Sequence, residues 1–140
     1  ALSRALGERP GMVKVNRREL AETLNVAIDS DESLRDAMRS TMSLGARRVI
    51  VTSGPGAVLA CDGTHWLRIS PPTVKIQSAI GSGDAFAAGL AAGILRKQSF
   101  KDACVLAAAC AVANAITPHA GHVAQDEVDR LSKRIVVERS

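Results

Sequence analysis

Gly81, Ser82, Gly83 and Asp84 open a long run of small apolar residues in AIGSGDAFAAGLAAGIL, residues 79–95. Glycines permit a tight turn and close backbone approach, and the first amides of the helix that follows have no intrahelical partners. Those amides, with the partial positive charge of the helix dipole, make a cradle for an anion such as phosphate. The dipole also favours an acid at Asp84. From these four residues alone, two readings stand: a glycine turn whose aspartate caps a helix, or an anion-binding helix mouth.

Two other stretches carry polar groups at the ends of strand-like runs. In VTSGPGAV (51–58) the hydroxyls of Thr52 and Ser53 lead into a Gly54-Pro55-Gly56 loop that could approach a phosphate closely. The G-x-x-x-x-G-K-[ST] phosphate loop is absent, and a plain glycine turn between strands fits the same residues. In VKVNRREL (13–20), Asn16 and Glu19 lie three apart at a strand-to-helix turn. Such a pair can hold a hydrated Mg²⁺, which takes few direct protein ligands, and it also fits a capping box. His119 and His122, spaced i, i+3, lack a convincing further ligand for a metal site.

The elements that must position these groups follow from periodicity. After a short helical start, MVKV (12–15) reads as a strand and residues 16–27 as a helix with Leu20, Leu24 and Ala27 on one side. Ser30 or Asp31 caps a second helix to about residue 43, with Gly45 as its stop, and RRVIVTS (47–53) is a β-branched strand. Residues 57–63 and 64–70 read as a hairpin joined at Asp62–Gly63, and TVKIQ (73–77) as one more strand. Residues 84–97 and 101–117 read as two helices with apolar residues on nearly every face, which predicts burial. The G-x-x-x-G pair Gly89 and Gly93 marks close helix or sheet packing rather than a membrane dimer. A last amphipathic helix covers 125–133, and RIVVERS fits either a strand or a tail. The pattern is α/β, with helices on the faces of a sheet and ligands expected beyond the strands' carboxyl ends.

Composition narrows the class. The 140 residues, 46% hydrophobic and 23% charged, suit a single packed domain over 1–140 rather than a disordered chain. A net charge of +4 comes from 18 basic residues scattered as short pairs, with one Trp, two Phe and no Tyr. That argues against nucleic-acid binding, which wants basic blocks or stacking platforms. Cys61, Cys104 and Cys110 show no metal-type spacing and read as buried reduced thiols of a cytoplasmic protein. No uncharged stretch is long enough for a bilayer, and none reads as a signal peptide.

Together the three polar stretches resemble the C-terminal half of the ribokinase-like (phosphofructokinase B) carbohydrate kinases. VKVNRREL is similar to the family's K-P-N-x-x-E-L, with Val15 where proline is usual. VTSGPGAV resembles its V-T/S-L-G-x-x-G-A nucleotide loop, with Ser53 replacing Leu and one residue fewer before Ala57. AIGSGDAFAAGLAAG is similar to V-G-A/S-G-D-x-F/M-x-A-G, and VANAITPHAGHV (112–123) resembles the tagatose-6-phosphate kinase and 1-phosphofructokinase branch.

The resemblance implies a three-layer α/β/α sandwich, present as its C-terminal portion, with a mostly parallel sheet, a β-hairpin and buried C-terminal helices. It implies phosphoryl transfer from ATP to a hydroxyl of a sugar or sugar phosphate, tilted by the GHV run toward a ketohexose phosphate. Asp84 would be the catalytic base, and Gly81, Ser82 and Gly83 the anion hole. Asn16 and Glu19 would order Mg²⁺. Thr52, Gly54 and Gly56 would line the ATP phosphates and ribose, with Ala108, Ala111 and Val112 facing adenine. Family members are substantially longer, so the chain is expected to be a fragment, inactive alone. Its partners would be the missing N-terminal half and, through an exposed sheet edge, further copies of itself. A catalytically silent nucleotide-binding or regulatory module of the same fold is the alternative.

Overall fold

The computed structural model describes residues 2–139. The elements run α1 (Leu2–Gly7), β1 (Val13–Asn16), α2 (Arg17–Leu24), α3 (Asp31–Ser43), β2 (Val49–Thr52), β3 (Val58–Cys61), β4 (Trp66–Ser70), α4 (Ser82–Leu95), α5 (Phe100–Ala115), α6 (Gln125–Ser132) and β5 (Val136–Arg139). The strands form one mixed sheet in the order β1-β2-β3-β4-β5. β1 and β2 are parallel, with Val13 opposite Val49 and Asn16 opposite Thr52. β3 then runs antiparallel to β2, with Val49 opposite Cys61. The chain forms two compact units, one reaching Arg68 and including Arg139, the other Ile69–Glu138.

The first unit is built on valine-rich strands whose branched side chains suit a pleated surface. Val13 and Val15 of β1, Val49 and Val51 of β2, and Leu59 and Cys61 of β3 share one core with Leu20 of α2 and Leu34, Ala37 and Met38 of α3. Full burial of a side chain such as Leu34 or Met38 contributes about 1.5–3 kcal/mol. α3 begins where Ser30 Oγ accepts from the Ser33 amide and Ser33 Oγ accepts in return from the Ser30 amide. It ends just before Gly45, whose φ of +130° excludes a side chain, since a Cβ there would sit 2.4 Å from the Leu6 carbonyl oxygen. The β3–β4 connection is a four-residue loop rather than a two-residue turn. Asp62 Oδ1 accepts from the amides of Thr64 and His65 at 3.0 and 2.7 Å, and Gly63 takes φ +96°.

In the second unit α4 lies against α5 through the two glycines of its G-x-x-x-G. A Cβ on Gly89 would stand 2.9 Å from Ala107 Cα, and one on Gly93 2.8 Å from Ala103 Cα. The pair therefore serves helix packing, as its spacing suggested. α5 packs its other side on α6, where Ala109 and Ala113 meet Val128 and Leu131. Ser99 starts α5 by accepting from the Asp102 amide.

Three expectations are corrected here. Residues 73–77 form no strand; Pro71 and Pro72 cannot donate to a ladder, and Val74 packs instead beside the α5–α6 cluster. The fourth helix begins at Ser82, two residues earlier than its periodicity gives, so Asp84 lies within its first turn. That helix is also not covered on nearly every face: Ala85, Phe86, Gly89, Leu90 and Gly93 are buried, while Ala87, Ala88 and Ala91 are exposed and Leu95 is 83% exposed. Its outer side consists largely of alanine methyls, which cost little in water. α5 does match the expectation, with exposure confined to Lys101 and Asp102. Within RIVVERS, Val136–Arg139 form the strand β5.

Candidate functional site

α4 opens on Gly81, which takes φ +81° as the N-cap and supplies no side chain to the helix. The Ser82 amide donates to the Ala79 carbonyl, and the Ala85 amide closes the first helical turn on the Gly81 carbonyl at 2.9 Å. Between them the amides of Gly83 and Asp84 have no acceptor among the described residues. Those two unpaired donors lie at the positive end of a 14-residue helix. Asp84 is exposed, and its carboxylate makes no hydrogen bond or ion pair with any described residue. It sits three residues into the helix and caps nothing. Of the two readings of GSGD, the capping aspartate is absent, and the helix start is left with open amides.

In the first unit, Asn16 and Thr52 stand opposite each other at the carboxyl ends of the parallel strands β1 and β2. Asn16 Oδ1 accepts from the Glu19 amide at 2.8 Å, and the Asn16 amide donates to Glu19 Oε2 at 2.9 Å. This reciprocal capping box starts α2, so the structural reading of the pair is realised. It does not consume the pair. Glu19 is exposed and its Oε1 has no partner among the described residues, and Asn16 Oδ1 accepts one bond, from the Glu19 amide. That oxygen-only donor set suits a hydrated Mg²⁺ held largely through water. Among the described residues no cluster of three or more His, Cys, Asp or Glu side chains could hold a metal, so His119 and His122 remain without further ligands.

Ser53, Gly54, Pro55 and Gly56 form a tight turn closed by the Gly56 amide on the Ser53 carbonyl at 3.0 Å. Gly54 has φ +58° and open space where a Cβ would stand, while a Cβ on Gly56 would lie 3.1 Å from the Ser53 carbonyl oxygen. Asn16, Glu19, Thr52 and this turn thus share one end of the β1–β2 pair, where ligands of open α/β sheets are held. On α5, Ala111 and Val112 are half-buried, whereas Ala108 is 3% exposed and has almost no surface to offer a base.

One residue of the second unit, which stands in the VANAITPHAGHV run, was given no role of its own in the sequence. Asn114 is fully buried near the end of α5, and its side chain donates to the Ile80 carbonyl and to Ser82 Oγ. The available signal was a lone amide within an alanine-rich helix that otherwise carries no polar residue after Asp102.

Residues 1–126 match the pfkB family of carbohydrate kinases. The chain belongs to that family. A tagatose-6-phosphate kinase of Staphylococcus epidermidis is 28% identical over 131 residues, which is 93% of this chain and 42% of that protein. Phosphofructokinase-2 from Escherichia coli, solved in complex with potassium, superposes with a TM-score of 0.89 at 26% identity, covering 96% of this chain and 44% of that one. Arabidopsis thaliana ribokinase, solved with ribose and ATP, superposes at 0.84 and 21% identity, a likeness of fold. This pfkB-family chain spans less than half the length of these relatives. The α/β, ribokinase-like fold class read from the motifs therefore stands. Among the described residues no helix is long and apolar enough to cross a membrane.

Proposed function

We propose that the chain is the nucleotide-binding portion of a cytoplasmic carbohydrate kinase that transfers the γ-phosphoryl group of ATP to a hydroxyl of a sugar phosphate of the ketohexose class. The observation that carries the proposal is the open mouth of α4, with two unpaired amides and an unpartnered Asp84 carboxylate in its first turn. Phosphoryl transfer needs mainly positioning and charge stabilisation, and preorganised backbone donors supply both.

In this reading the amides of Gly83 and Asp84, with the turn from Gly81 through Ser82, receive the negative charge of the transferring group. Asp84 orients the attacking hydroxyl and takes up its proton late, as the new oxygen–phosphorus bond forms. Asn16 and Glu19 would hold Mg²⁺ through its waters, and Thr52, Gly54 and Gly56 would lie along the nucleotide. Bound Mg²⁺ supplies neutralisation of phosphate charge. Ala111 and Val112 would offer apolar surface to the base. The substrate class rests on the tagatose-6-phosphate kinase and phosphofructokinase-2 relatives. Exposed apolar residues at the two ends of α4, Ile80 just before it at 75% and Leu95 at its last position at 83% exposure, support cover by the remainder of a longer kinase or by a second copy.

Titration of the chain with MgATP, followed by the amide signals of residues 81–85, tests the nucleotide half of the reading. Wild type and Asp84→Asn are expected to shift at Gly83 and residue 84. Gly83→Asp, which places a carboxylate against the unpaired donors, is expected to abolish the shift. A wild-type chain whose 81–85 amides ignore MgATP at millimolar concentration removes the phosphate role of this helix mouth.

A further inference from the structure

Among the described residues two polar side chains are completely buried, Thr41 and Asn114. Thr41 is satisfied one turn back on its own helix, donating to the Ala37 carbonyl, and needs no further account. Asn114 instead joins three segments. Its Nδ2 donates to the Ile80 carbonyl at 2.8 Å and to Ser82 Oγ at 3.1 Å, and its Oδ1 accepts from the Gly121 amide at 2.7 Å. The carboxamide thus holds the turn that opens α4 on one side and the loop that follows α5 on the other.

The surrounding backbone repeats the same connection. Gly81 and Gly121 both adopt left-handed conformations, φ +81° and +79°. A Cβ on Gly81 would meet Ala120 Cβ at 3.3 Å and the Gly121 nitrogen and Asn114 Oδ1 at 3.5 Å, so the two glycine turns press together beside the amide. The Ala115 carbonyl accepts from the amides of Gln77 and Ser78, anchoring the approach to the turn. Thr117 Oγ1 is within donating distance of the Asn114 and His119 carbonyls, at 3.1 and 3.0 Å, fixing the loop after α5.

Only a carboxamide fits these demands. Leucine of similar size would strand the Ile80 carbonyl and the Gly121 amide without partners, and aspartate would set an oxygen against the Ile80 carbonyl oxygen. Burying an amide inside an alanine-rich helix pair is unfavourable unless every one of its groups is used, and here both the donor and the acceptor ends are.

We propose that Asn114 is the positioning residue of the α4 mouth: by locking Ile80 and Ser82 to Gly121 it fixes the direction in which the Gly83 and Asp84 amides and the Asp84 carboxylate point. The proposal rests on the phosphate-binding reading of that mouth for its functional meaning. Asn114 touches no reacting atom and acts through the turn it holds.

Residue-resolved amide exchange on the chain, with MgATP titration in parallel, tests it in Asn114→Asp and Asn114→Leu. In Asn114→Asp at neutral pH the donor is lost and the acceptor kept. Exchange at Ser82 and Ala85 should quicken about tenfold, the Gly121 amide should keep its protection, and MgATP affinity should fall by a similar factor. Acidification that protonates the new carboxyl returns an O–H donor and should restore protection at Ser82 and Ala85; wild type over the same range controls for His119 and His122. Asn114→Leu should free Gly121 as well. Amides of Ala107 and Ala109 in the middle of α5 serve as the reference that loosening of the whole fold would move. Should Asn114→Leu fail to fold, the acid rescue of Asn114→Asp still decides. Exchange at Ser82 and Ala85 within twofold of wild type in Asn114→Asp, or loss there without acid rescue, overturns the positioning role. If the exchange pattern appears while wild type ignores MgATP, the lock stands and the kinase reading of the mouth falls.

Discussion

Gly93→Ala probes the contact that holds α4, and with it Asp84, against α5. A Cβ at residue 93 would stand 2.8 Å from both Cα and Cβ of Ala103 and 3.0 Å from Gln98 Oε1. Carbon atoms settle at about 3.5–4.0 Å, so the helices must part locally by roughly 1 Å. Overpacking of this kind costs about 1–3 kcal/mol, against a gain of about 1 kcal/mol as alanine replaces glycine in a helix. The Gln98 side chain can swing away. The Ala103 atoms cannot, because Cα and Cβ have no rotamer to change, so the clash outweighs the propensity gain. The expected result is a net loss of about 1 kcal/mol, the middle of the difference, and a fall in Tm on the order of 3–5 °C for a chain of this size. Gly89→Ala should lose in the same sense, since Ala107 Cα at 2.9 Å is equally fixed even if Cys110 Sγ turns aside. Ala91→Gly, at an exposed position on the same helix, measures the propensity term alone at about 1 kcal/mol. Thermal and urea unfolding followed by helical circular dichroism give all three values. A Gly93→Ala chain as stable as wild type would refute the close approach of α4 and α5.

Two further predictions concern the first unit. The His65 and Thr64 amides on Asp62 hold its carboxyl below the ordinary value, the His65 amide most. The stabilisation is therefore complete above the ordinary carboxylate pKa and lost as pH falls through the lowered one. In this solvent-screened loop it amounts to under about 1 kcal/mol, and Asp62→Asn, which keeps an acceptor oxygen, should flatten the acid limb of a stability–pH curve; an unchanged limb counts against the loop geometry. At the start of α2, Asn16→Ala should lower stability by about 1 kcal/mol through loss of the cap, whereas Glu19→Gln preserves the box and should cost little. If the pair also holds Mg²⁺, Glu19→Gln should weaken the Mg²⁺ dependence of nucleotide binding while leaving Tm in place, and equal Mg²⁺ dependence in the two chains would leave the residues with a capping role alone.

What could be read from the sequence was whatever a local pattern determines. Ser30 before an amphipathic run, Gly45 after it and the β-branched strands at 13 and 49 each became the element their residue types favour, with ends displaced by a few residues. The local form of the three polar stretches was legible for the same reason, since a glycine turn, a strand end and a helix start are all short-range events. Where long-range packing decides, patterning fell short. Val74 and Ile76 alternate like a strand, but the preceding prolines and the Ala115 carbonyl draw residues 74–78 along α5 instead of into a ladder. In α4 an alanine-rich sequence has no strong amphipathic signature, so periodicity could not say which face α5 would cover; that face carries Gly89 and Gly93, where a Cβ would stand within 3.0 Å of α5. Asn114 belongs to the same class, because an amide in a helix acquires meaning only when two turns, 34 and 7 residues away in sequence, are folded onto it. Short motifs mark candidate ligand-contacting residues one stretch at a time, whereas a residue that joins two turns, as Asn114 does, is defined only by the fold.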